Sequence, residues 1–298
     1  MRTLAGAFAA GLLAAAPVAQ AELYYLIVGG LGGETTYEEN FAAYTQSLAE
    51  AARRTVGEES RVAVLAGADA SLEALRESLS GLAERAGETD SLAVFLVGHG
   101  SYDGSQYKFN LPGPDIDGNE LGELLAGVPA RTQLIVNATS ASGAVLEDWS
   151  AENRTVITAT RSGAERNATR FAEHWAEALS TDESDLDKNG VITAREAFDY
   201  ASRKVADSYE SEGTLATEHP QIAGDTAARF DVARLTARVA DTPQMQTLIT
   251  ELEGLEEQIA ALRLLRDEMP VEDYLAQLQD LLVQLALAQQ QIDEAEAQ

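Results

Sequence analysis

Residues 133–143 read QLIVNATSASG, and this stretch poses the question that decides the fold. Its first half holds an apolar run, Leu134 to Val136, that is typical of a buried strand. Its second half, Ala138 to Gly143, holds only small residues, and half of them carry hydroxyl groups. One interpretation is a tight strand-to-helix turn. The other interpretation is a strand end that presents a nucleophile. The rest of the sequence is needed to decide between these two interpretations.

Strands and helices alternate on both sides of this stretch. Apolar runs occur in ELYYLIVGG (22–30), RVAVLAG (61–67), SLAVFLVGHG (91–100) and RTVITAT (154–160). Amphipathic helices are predicted at 37–54, 71–85, 121–125 and 167–179. This pattern indicates an α/β fold with a mainly parallel sheet flanked by helices, in three layers. In such sheets ligands bind beyond the carboxyl ends of the strands, which here are rich in glycine and hydroxyl groups.

The first 21 residues have the pattern of an export signal. Arg2 supplies a positive start, an alanine-rich apolar segment follows, and Ala19-Gln20-Ala21 is a small-x-small cleavage site. We expect cleavage after Ala21 and a periplasmic or secreted protein. An uncleaved N-terminal anchor is the alternative, but the apolar segment is too short for a stable membrane span.

The charge of the chain argues against several classes of partner. The sequence holds 49 acidic and 21 basic residues, for a formal net charge of −28. Nucleic acids and anionic membrane surfaces are therefore not expected as partners, because both attract basic surfaces. The sequence contains no cysteine, so the exported protein would have neither disulfides nor a thiol nucleophile.

The most specific local pattern is DLDKNGVITARE, residues 185–196, which fits the twelve-residue EF-hand loop. Gly190 makes the sharp turn at loop position 6, and Ile192 is the apolar residue behind the loop. Ca2+ requires six or more oxygen ligands around one point. We predict a structural rather than regulatory Ca2+ site, because only one such loop occurs. Its ligands are Asp185, Asp187, Asn189, Val191 (through its carbonyl), Thr193 and Glu196.

A histidine and a serine end two successive strands of the predicted sheet. His99-Gly100 follows the run SLAVFLV, and Ser140 follows QLIVNAT. If the two strands are neighbours, their carboxyl ends bring His99 and Ser140 side by side. A histidine beside a hydroxyl, with glycine and turn N–H groups nearby, is the arrangement that acyl transfer requires. The carboxylates available to orient the imidazole, none of them singled out by spacing, are Glu34, Asp103 and Asp115.

At these residues the chain resembles the caspase-fold cysteine peptidases, most of all their legumain-like (asparaginyl endopeptidase-type) branch. The family has an apolar strand ending in His-Gly, and then one ending in small-Cys-x-Ser-Gly. FLVGHGS and TSASG are similar to these two motifs. The resemblance extends over about 22–230 and includes VGGLGGETTYEENF, ITATRSGAERN, EAFDYA and ATEHPQIAGD.

The resemblance implies a caspase-like domain over 22–235, with His99 as its catalytic histidine. Ser140 holds the place of the nucleophile, and the N–H groups of Gly100 and Ser140 would form the oxyanion hole. A peptide or protein is then the ligand expected in the strand-end cleft. The residues that match the lining of the substrate pocket, or that alternatively cap the helix at 167, are Arg161, Ser162 and Glu165.

The chain departs from the family at the reacting atom, because Ser140 stands where the family has cysteine. A cysteine thiol ionises at about pH 8.5 and reacts as a thiolate. A serine hydroxyl reacts only when a histidine, itself oriented by a carboxylate, removes its proton. We therefore expect an inactive or weakly active member that acts as a peptide- or protein-binding scaffold. The alternative is an active endopeptidase that uses His99 and Ser140. We interpret His219, in the polar segment ATEHPQ, as part of a surface loop, and the alternative is that this segment approaches the strand ends.

The tail, residues 243–298, has a different pattern. Apolar residues recur with alternating spacings of three and four in two segments, which indicates an α-helical coiled-coil hairpin. Pro270 interrupts the pattern, so the turn is predicted near 267–271. The hairpin can pack on its own body, self-associate or bind a coiled-coil partner. Its predicted seam positions are 245, 248, 252, 255, 259 and 262, then 274 or 275, 278, 282, 285 and 292.

Overall fold

The computed structural model describes residues 21–236, 243–266 and 269–296, so the predicted export signal lies outside them except for Ala21. The strands in these ranges are β1 (Leu23–Gly29), β2 (Val62–Leu65), β3 (Ser91–Val97), β4 (Gly100–Tyr102), β5 (Tyr107–Phe109), β6 (Ile116–Asp117), β7 (Thr132–Asn137), β8 (Arg154–Thr158), β9 (Val191–Thr193), β10 (Gln221–Ala223) and β11 (Asp231–Arg234). The helices are α1 (Thr35–Val56), α2 (Leu72–Arg85), α3 (Gly118–Ala126), α4 (Leu146–Trp149), α5 (Phe171–Ala178), α6 (Ala194–Glu212), α7 (Pro243–Leu264) and α8 (Val271–Glu296).

A six-stranded sheet carries the body, with the strand order β10-β8-β7-β3-β1-β2. The strands from β2 to β8 in this order run parallel, and β10 pairs with β8 in the antiparallel direction. β1, β3, β7 and β8 are buried along almost their whole length, because helices cover both faces of the sheet. The predicted α/β fold with a mainly parallel sheet flanked by helices is confirmed.

Alternate side chains of each strand build two separate cores. On β3, Phe95 and its odd-numbered neighbours face a core shared with α1, α5 and α6. Leu96 and the even-numbered residues face a second core shared with α2 and α3. Each buried aliphatic or aromatic side chain contributes about 1.5–3 kcal/mol relative to an exposed one. Two-sided burial therefore fixes the register of the sheet.

Local caps set the ends of the helices, and one predicted helix begins later than expected. The Ser71 hydroxyl caps α2 by accepting the N–H of Ala74 at 3.2 Å. The helix expected at 167–179 begins only at Phe171, because the Glu218 carboxylate accepts the first free N–H groups there. The prediction that 161–165 caps a helix at 167 is therefore wrong.

Several short strands were not predicted from the sequence. β4, β5 and β6 form a small antiparallel sheet directly after His99, and β9 pairs with β11. Strands of two to four residues are too short to show a period-two pattern. The β4–β6 sheet contacts the chain after β3, because the Asn110 N–H that follows β5 donates to the His99 carbonyl at 3.0 Å.

The tail forms the expected pair of helices, α7 and α8, with a different seam on α8. Buried Leu248, Leu252 and Leu255 of α7 pack against the later turns of α8, as the predicted α7 seam requires. Asp267 and Glu268 of the predicted turn, and the side chain of Met245, lie outside the described parts. The seam predicted on α8 is wrong at Leu282, which is 45% exposed, and of the two positions left open at its start Leu275 is the exposed one, at 55%. The α8 residues that face α7 include Leu281, Leu285, Ala288 and Ile292.

Among the helices in the described ranges, none is both long enough and apolar enough to cross a bilayer.

Candidate functional site

The carboxyl edge of the sheet brings the predicted cleft residues into one row. β3 and β7 pair Leu96 with Asn137, and β7 and β8 pair Asn137 with Thr158. The ladder continues past these pairs, because Ala138 N–H donates to the Leu96 carbonyl at 2.9 Å. His99, Ser140 and Arg161 follow these neighbouring strands by two or three residues, at the same edge of the sheet.

Gly100 allows these two chain segments to approach closely. A Cβ atom at Gly100 would lie 2.3 Å from the carbonyl oxygen of Ser140 and 2.6 Å from Oγ1 of Thr139. Only glycine fits there without a shift of the Ser140 main chain. The structure therefore places the backbones of Gly100 and Ser140 in contact, while the oxyanion-hole role of their N–H groups stays a prediction.

The small residues around Ser140 are required by the packing of the turn. Ala141 is fully buried, has a left-handed backbone (φ 56°) and donates its N–H to the Glu165 carbonyl at 2.7 Å. A Cβ atom at Gly143 would lie 2.3–2.4 Å from the main chain of 160–162. The turn therefore requires small side chains, as the structural interpretation of QLIVNATSASG predicts.

The hydroxyls on either side of Ser140 are bound within the turn. Thr139 Oγ1 donates to the Asn137 side chain at 2.8 Å, and the Tyr107 hydroxyl lies 2.6 Å from Thr139 Oγ1. Ser142 bonds to Thr160. Ser140 itself is 2% exposed. The hydroxyls of its two neighbours are thus structural.

The His99 ring packs on α1 and lacks a carboxylate partner among the described residues. The rings of Tyr37 and Phe41 meet its edge, with centroids at 4.8 and 5.0 Å. Burial lowers the pKa of His99, while its hydrogen bond to the Gly32 carbonyl and the charge of Glu34 oppose that shift. A neutral imidazole at neutral pH follows.

Two of the three carboxylates considered as partners of His99 are bound elsewhere. The Asp103 carboxylate accepts the N–H groups of Ser105 and Gln106, each at 2.8 Å. The Asp115 carboxylate accepts the Leu111 N–H at 3.1 Å. Glu34 acts on His99 through its charge. The ring is therefore held by a main-chain carbonyl.

The predicted pocket residues Arg161 and Glu165 come together around an unexpected partner, His219. Glu165 Oε1 lies 2.6 Å from His219 Nδ1. Oε2 accepts the N–H of Arg161 at 2.8 Å and that of His219 at 3.2 Å. Ser162 binds only its own turn through the Ala164 N–H. His219 lies in the loop before β10 with its side chain 43% exposed, as interpreted, and the pairing of β10 with β8 also brings it to the carboxyl edge.

Glu218, the neighbour of His219, is a buried carboxylate at the start of α5. It is 2% exposed and accepts N–H groups from Arg170 at 2.7 Å and Phe171 at 3.3 Å. Burial raises the pKa of Glu218 to about 7, and these N–H donors and the Tyr209 hydroxyl oppose the shift. The sequence gives no signal for this cap, because it joins segments that are far apart in the chain.

The loop 185–196 brings three of its carboxylates to one point. Ligand oxygens of Asp185, Asp187 and Glu196 all lie within 4.8 Å of one another. Burial and the charge of Glu196 raise the pKa of Asp187. Gly190 has the left-handed backbone (φ 79°) that the sharp turn demands. A divalent cation at this point would relieve the repulsion, so the donor set fits a metal ion.

Hydrogen bonds within the loop and to α6 hold the rest of residues 185–196 in place. Thr193 caps α6 by accepting the Glu196 N–H, and the Glu196 carboxylate accepts the Thr193 N–H at 2.9 Å. Asn189 Oδ1 accepts the Val191 N–H at 2.7 Å. Ile192 is fully buried, as predicted, within β9. The loop is thereby pinned to the body on one side and to α6 on the other.

Comparisons with known proteins bear on the fold alone. No family model matches the chain, and no curated protein matches it. The chain is similar in structure to protein GSU0716 from Geobacter sulfurreducens, with a TM-score of 0.50 and 13% sequence identity. The match covers 72% of this chain and 99% of that protein. At 13% identity this similarity shows a shared fold and carries no information about function.

We expect Glu218→Gln to remove a pH dependence of stability. The folded-state pKa of Glu218, about 7, lies above its ordinary value of 4.5, so the folded state holds the proton more tightly. The stabilisation is complete below about pH 4.5 and is lost as the pH rises through about 7. Between pH 5 and 8 the unfolding free energy of the wild type should fall by up to about 3 kcal/mol more than that of Glu218→Gln.

Urea unfolding at several pH values measures this difference. Glu210→Gln, an exposed substitution on α6, is the matched control and should leave the wild-type slope unchanged. Parallel pH profiles for the wild type and Glu218→Gln would contradict the prediction.

Proposed function

We propose that this chain is an exported, calcium-binding protein of the caspase-type peptidase fold whose strand-end cleft binds peptide. The observation that carries the proposal is the row at the carboxyl edge, in which His99 and Ser140 follow neighbouring parallel strands. The resemblance of FLVGHGS and TSASG to the family motifs supports the same assignment. Peptidase activity is weak or absent, because Ser140 stands in place of the catalytic cysteine.

The surroundings of His99 support a weak or inactive site. A serine hydroxyl must lose its proton to the imidazole during attack, and a carboxylate normally stabilises the imidazolium that results. His99 has a main-chain carbonyl in that position, and its pKa is lowered by burial. A cysteine thiol would need less help, because it ionises far more readily than a serine hydroxyl and reacts as the thiolate. The site therefore suits cysteine better than serine.

The alternative is an active endopeptidase. In that case Ser140 Oγ attacks the peptide carbonyl carbon and His99 takes the hydroxyl proton. His99 then returns the proton to the leaving amine, and water hydrolyses the acyl-enzyme. The fixed ring position between Tyr37 and Phe41 favours this candidate, because it leaves the imidazole little freedom to turn away.

The charged groups next to Ser140 favour a peptide with an acidic side chain. The Arg161 and His219 side chains are 64% and 43% exposed, whereas that of Glu165 is 11% exposed and already accepts four hydrogen-bond or ion-pair contacts. The exposed Arg161 and His219 side chains thus offer hydrogen-bond donors in a chain whose net charge is −28. Carboxylates are the ligands that such donors bind best.

We expect peptide binding without efficient cleavage in the wild type, and cleavage in Ser140→Cys. The measurement uses a mixed peptide library with acidic, amide and basic members, with mass spectrometry for cleavage and fluorescence anisotropy for binding. Ser140→Ala should match the wild type if the chain is a scaffold. Cleavage by the wild type that disappears in Ser140→Ala would establish the endopeptidase instead.

Ser101→Cys is the matched control, since it places an exposed thiol near His99 without occupying position 140. It should show no cleavage. A library that yields neither binding to the wild type nor cleavage by Ser140→Cys would overturn the proposed peptide cleft.

The loop 185–196 is proposed to hold one Ca2+ ion as a structural element. Asp185, Asp187, Asn189, Thr193 and Glu196 would supply side-chain oxygens, and Val191 its carbonyl. A bound ion would join the loop to α6 and, through the β9–β11 pair, to the body. Binding to the folded state alone would stabilise the protein by about 2.7 kcal/mol at a hundredfold excess over Kd.

Calorimetric titration after chelation is expected to give one site for Ca2+ in the wild type and none in Glu196→Gln. Glutamine keeps the capping contact with Thr193 but removes the charge and the bidentate ligand. Asp199→Asn, an equally conservative change at an exposed position of α6, should bind as the wild type does. Absence of heat at millimolar Ca2+ in the wild type would refute the site.

Export is proposed from residues 1–21, with cleavage after Ala21 and a periplasmic or secreted location. The pattern of positive start, apolar core and small-x-small site supports it. The environment outside the cytoplasm also suits a Ca2+ site of modest affinity.

The hairpin carries a second candidate function, self-association. Val271, Leu275 and Leu282 are 70%, 55% and 45% exposed and lie within about 40° of one another around α8, at 3.6 residues per turn. In an antiparallel pair of α8 helices centred after Leu278, Leu275 faces Leu282 and Asp280 faces Gln277. Acidic residues thus meet glutamine rather than each other, although α8 contains no basic residue. Two paired hairpins would form a four-helix bundle.

We expect Leu275→Glu with Leu282→Glu to convert a dimer into a monomer. Light scattering after size exclusion measures the mass over a concentration series. Val283→Glu with Leu287→Glu is the matched control, because these residues are 53% and 54% exposed on another side of the same helix. A wild type that is monomeric at every concentration would exclude self-association.

A further inference from the structure

The amino end of β1 is fixed on a buried carboxylate that lacks a cation. Asp90 is 7% exposed. Its Oδ1 accepts the N–H of Glu22 at 2.8 Å, and its Oδ2 accepts the N–H of Gly87 at 2.8 Å. Both donors are neutral amides. In the part of the chain that the structure describes, no basic side chain forms an ion pair with this carboxylate.

The position of the Glu22 nitrogen is fixed independently of Asp90. The Glu22 carbonyl accepts the Ser91 N–H at 2.7 Å, which continues the β1–β3 ladder. The Glu22 side chain binds Arg61 at 2.9 Å and the Tyr24 hydroxyl at 2.6 Å. The nitrogen of Glu22 therefore stays beside Asp90 whether or not a residue precedes it. Ala21, on the other side of that peptide bond, is exposed.

A buried carboxylate is costly unless a cation pairs with it. Hydrolysis of the Ala21–Glu22 bond would create one at the right atom. Water adds its hydroxyl to the Ala21 carbonyl carbon, and the Glu22 nitrogen leaves as an amine that takes up a proton at neutral pH. The neutral N–H that Asp90 now binds would become an ammonium group with three donors and a full positive charge.

We propose that the Ala21–Glu22 bond is a processing site whose new α-ammonium pairs with Asp90 and locks the amino end of the sheet. The inference rests on the proposed export of the chain, and the agent is an endopeptidase of the signal-peptidase class. Removal of the signal then does more than release the protein, because it completes the charge balance of a buried carboxylate at the start of β1 and β3.

Thermal unfolding of two chains that differ by one residue tests the ion pair. A chain that begins at Glu22 should unfold about 3–8 °C above one that begins at Ala21, because the extra residue moves the ammonium away from Asp90. The difference should vanish when both chains carry Asp90→Asn. Asp69→Asn, at an exposed position, is the matched control and should preserve the difference.

If the Asp90→Asn chains do not fold, a second comparison still tests the ion pair. The Glu22 chain with an acetylated amino group keeps the N–H donor and loses only the charge, so it should unfold at the lower temperature. Equal midpoints for the free and acetylated chains would overturn the ion pair while leaving export intact. Amino-terminal sequencing of the exported protein separates the two proposals, since a first residue other than Glu22 would overturn the processing site itself.

Discussion

The parallel ladder that joins β1, β3, β7 and β8 is the constraint on which the rest of the molecule depends. Each of these strands is buried on both faces, so a slip of one residue would exchange the side chains of the two cores. The same slip would move His99 away from α1 and toward the opposite face. Packing in the middle of the sheet therefore sets the positions of the residues at its edge, including Ser140 and Arg161.

The turn after β7 shows how a structural demand and a chemical position can share one stretch. Ala141 is buried with a left-handed backbone, and Gly143 packs against main-chain atoms, so large residues have no room in this turn. The hydroxyls of Thr139 and Ser142 bond within the protein. The small, hydroxyl-rich composition is therefore explained by packing. The position of Ser140, after the strand that neighbours the one before His99, is a separate observation, and the proposed peptide cleft depends on it.

The sequence was sufficient for features that depend on local patterns. The parallel strands follow from continuous apolar runs, and the burial of Ile192 and the left-handed Gly190 follow from a motif confined to twelve residues. Features that depend on distant segments were missed. The Glu165–His219 pair arises because β10 joins the sheet, and a three-residue strand has no detectable period. On α8 the alternating spacing allows two overlapping seams, and only contact with α7 selects between them.

The buried carboxylates in the described parts of this acidic chain share one feature, which is that few of them are paired with a basic side chain. Asp90 and Glu218 are held mainly by main-chain N–H groups, which stabilise a carboxylate without supplying a full charge. Burial raises the pKa of Glu218 in consequence, and mutual repulsion adds to burial at Asp187. With 49 acidic and 21 basic residues, side chains cannot provide a cation for every such group. Two of these groups are the places where we propose a cation from outside the chain, a divalent ion in the loop 185–196 and a processed amino terminus at Asp90. If the chain is exported as proposed, both cations are acquired outside the cytoplasm, and completion of the fold then depends on export.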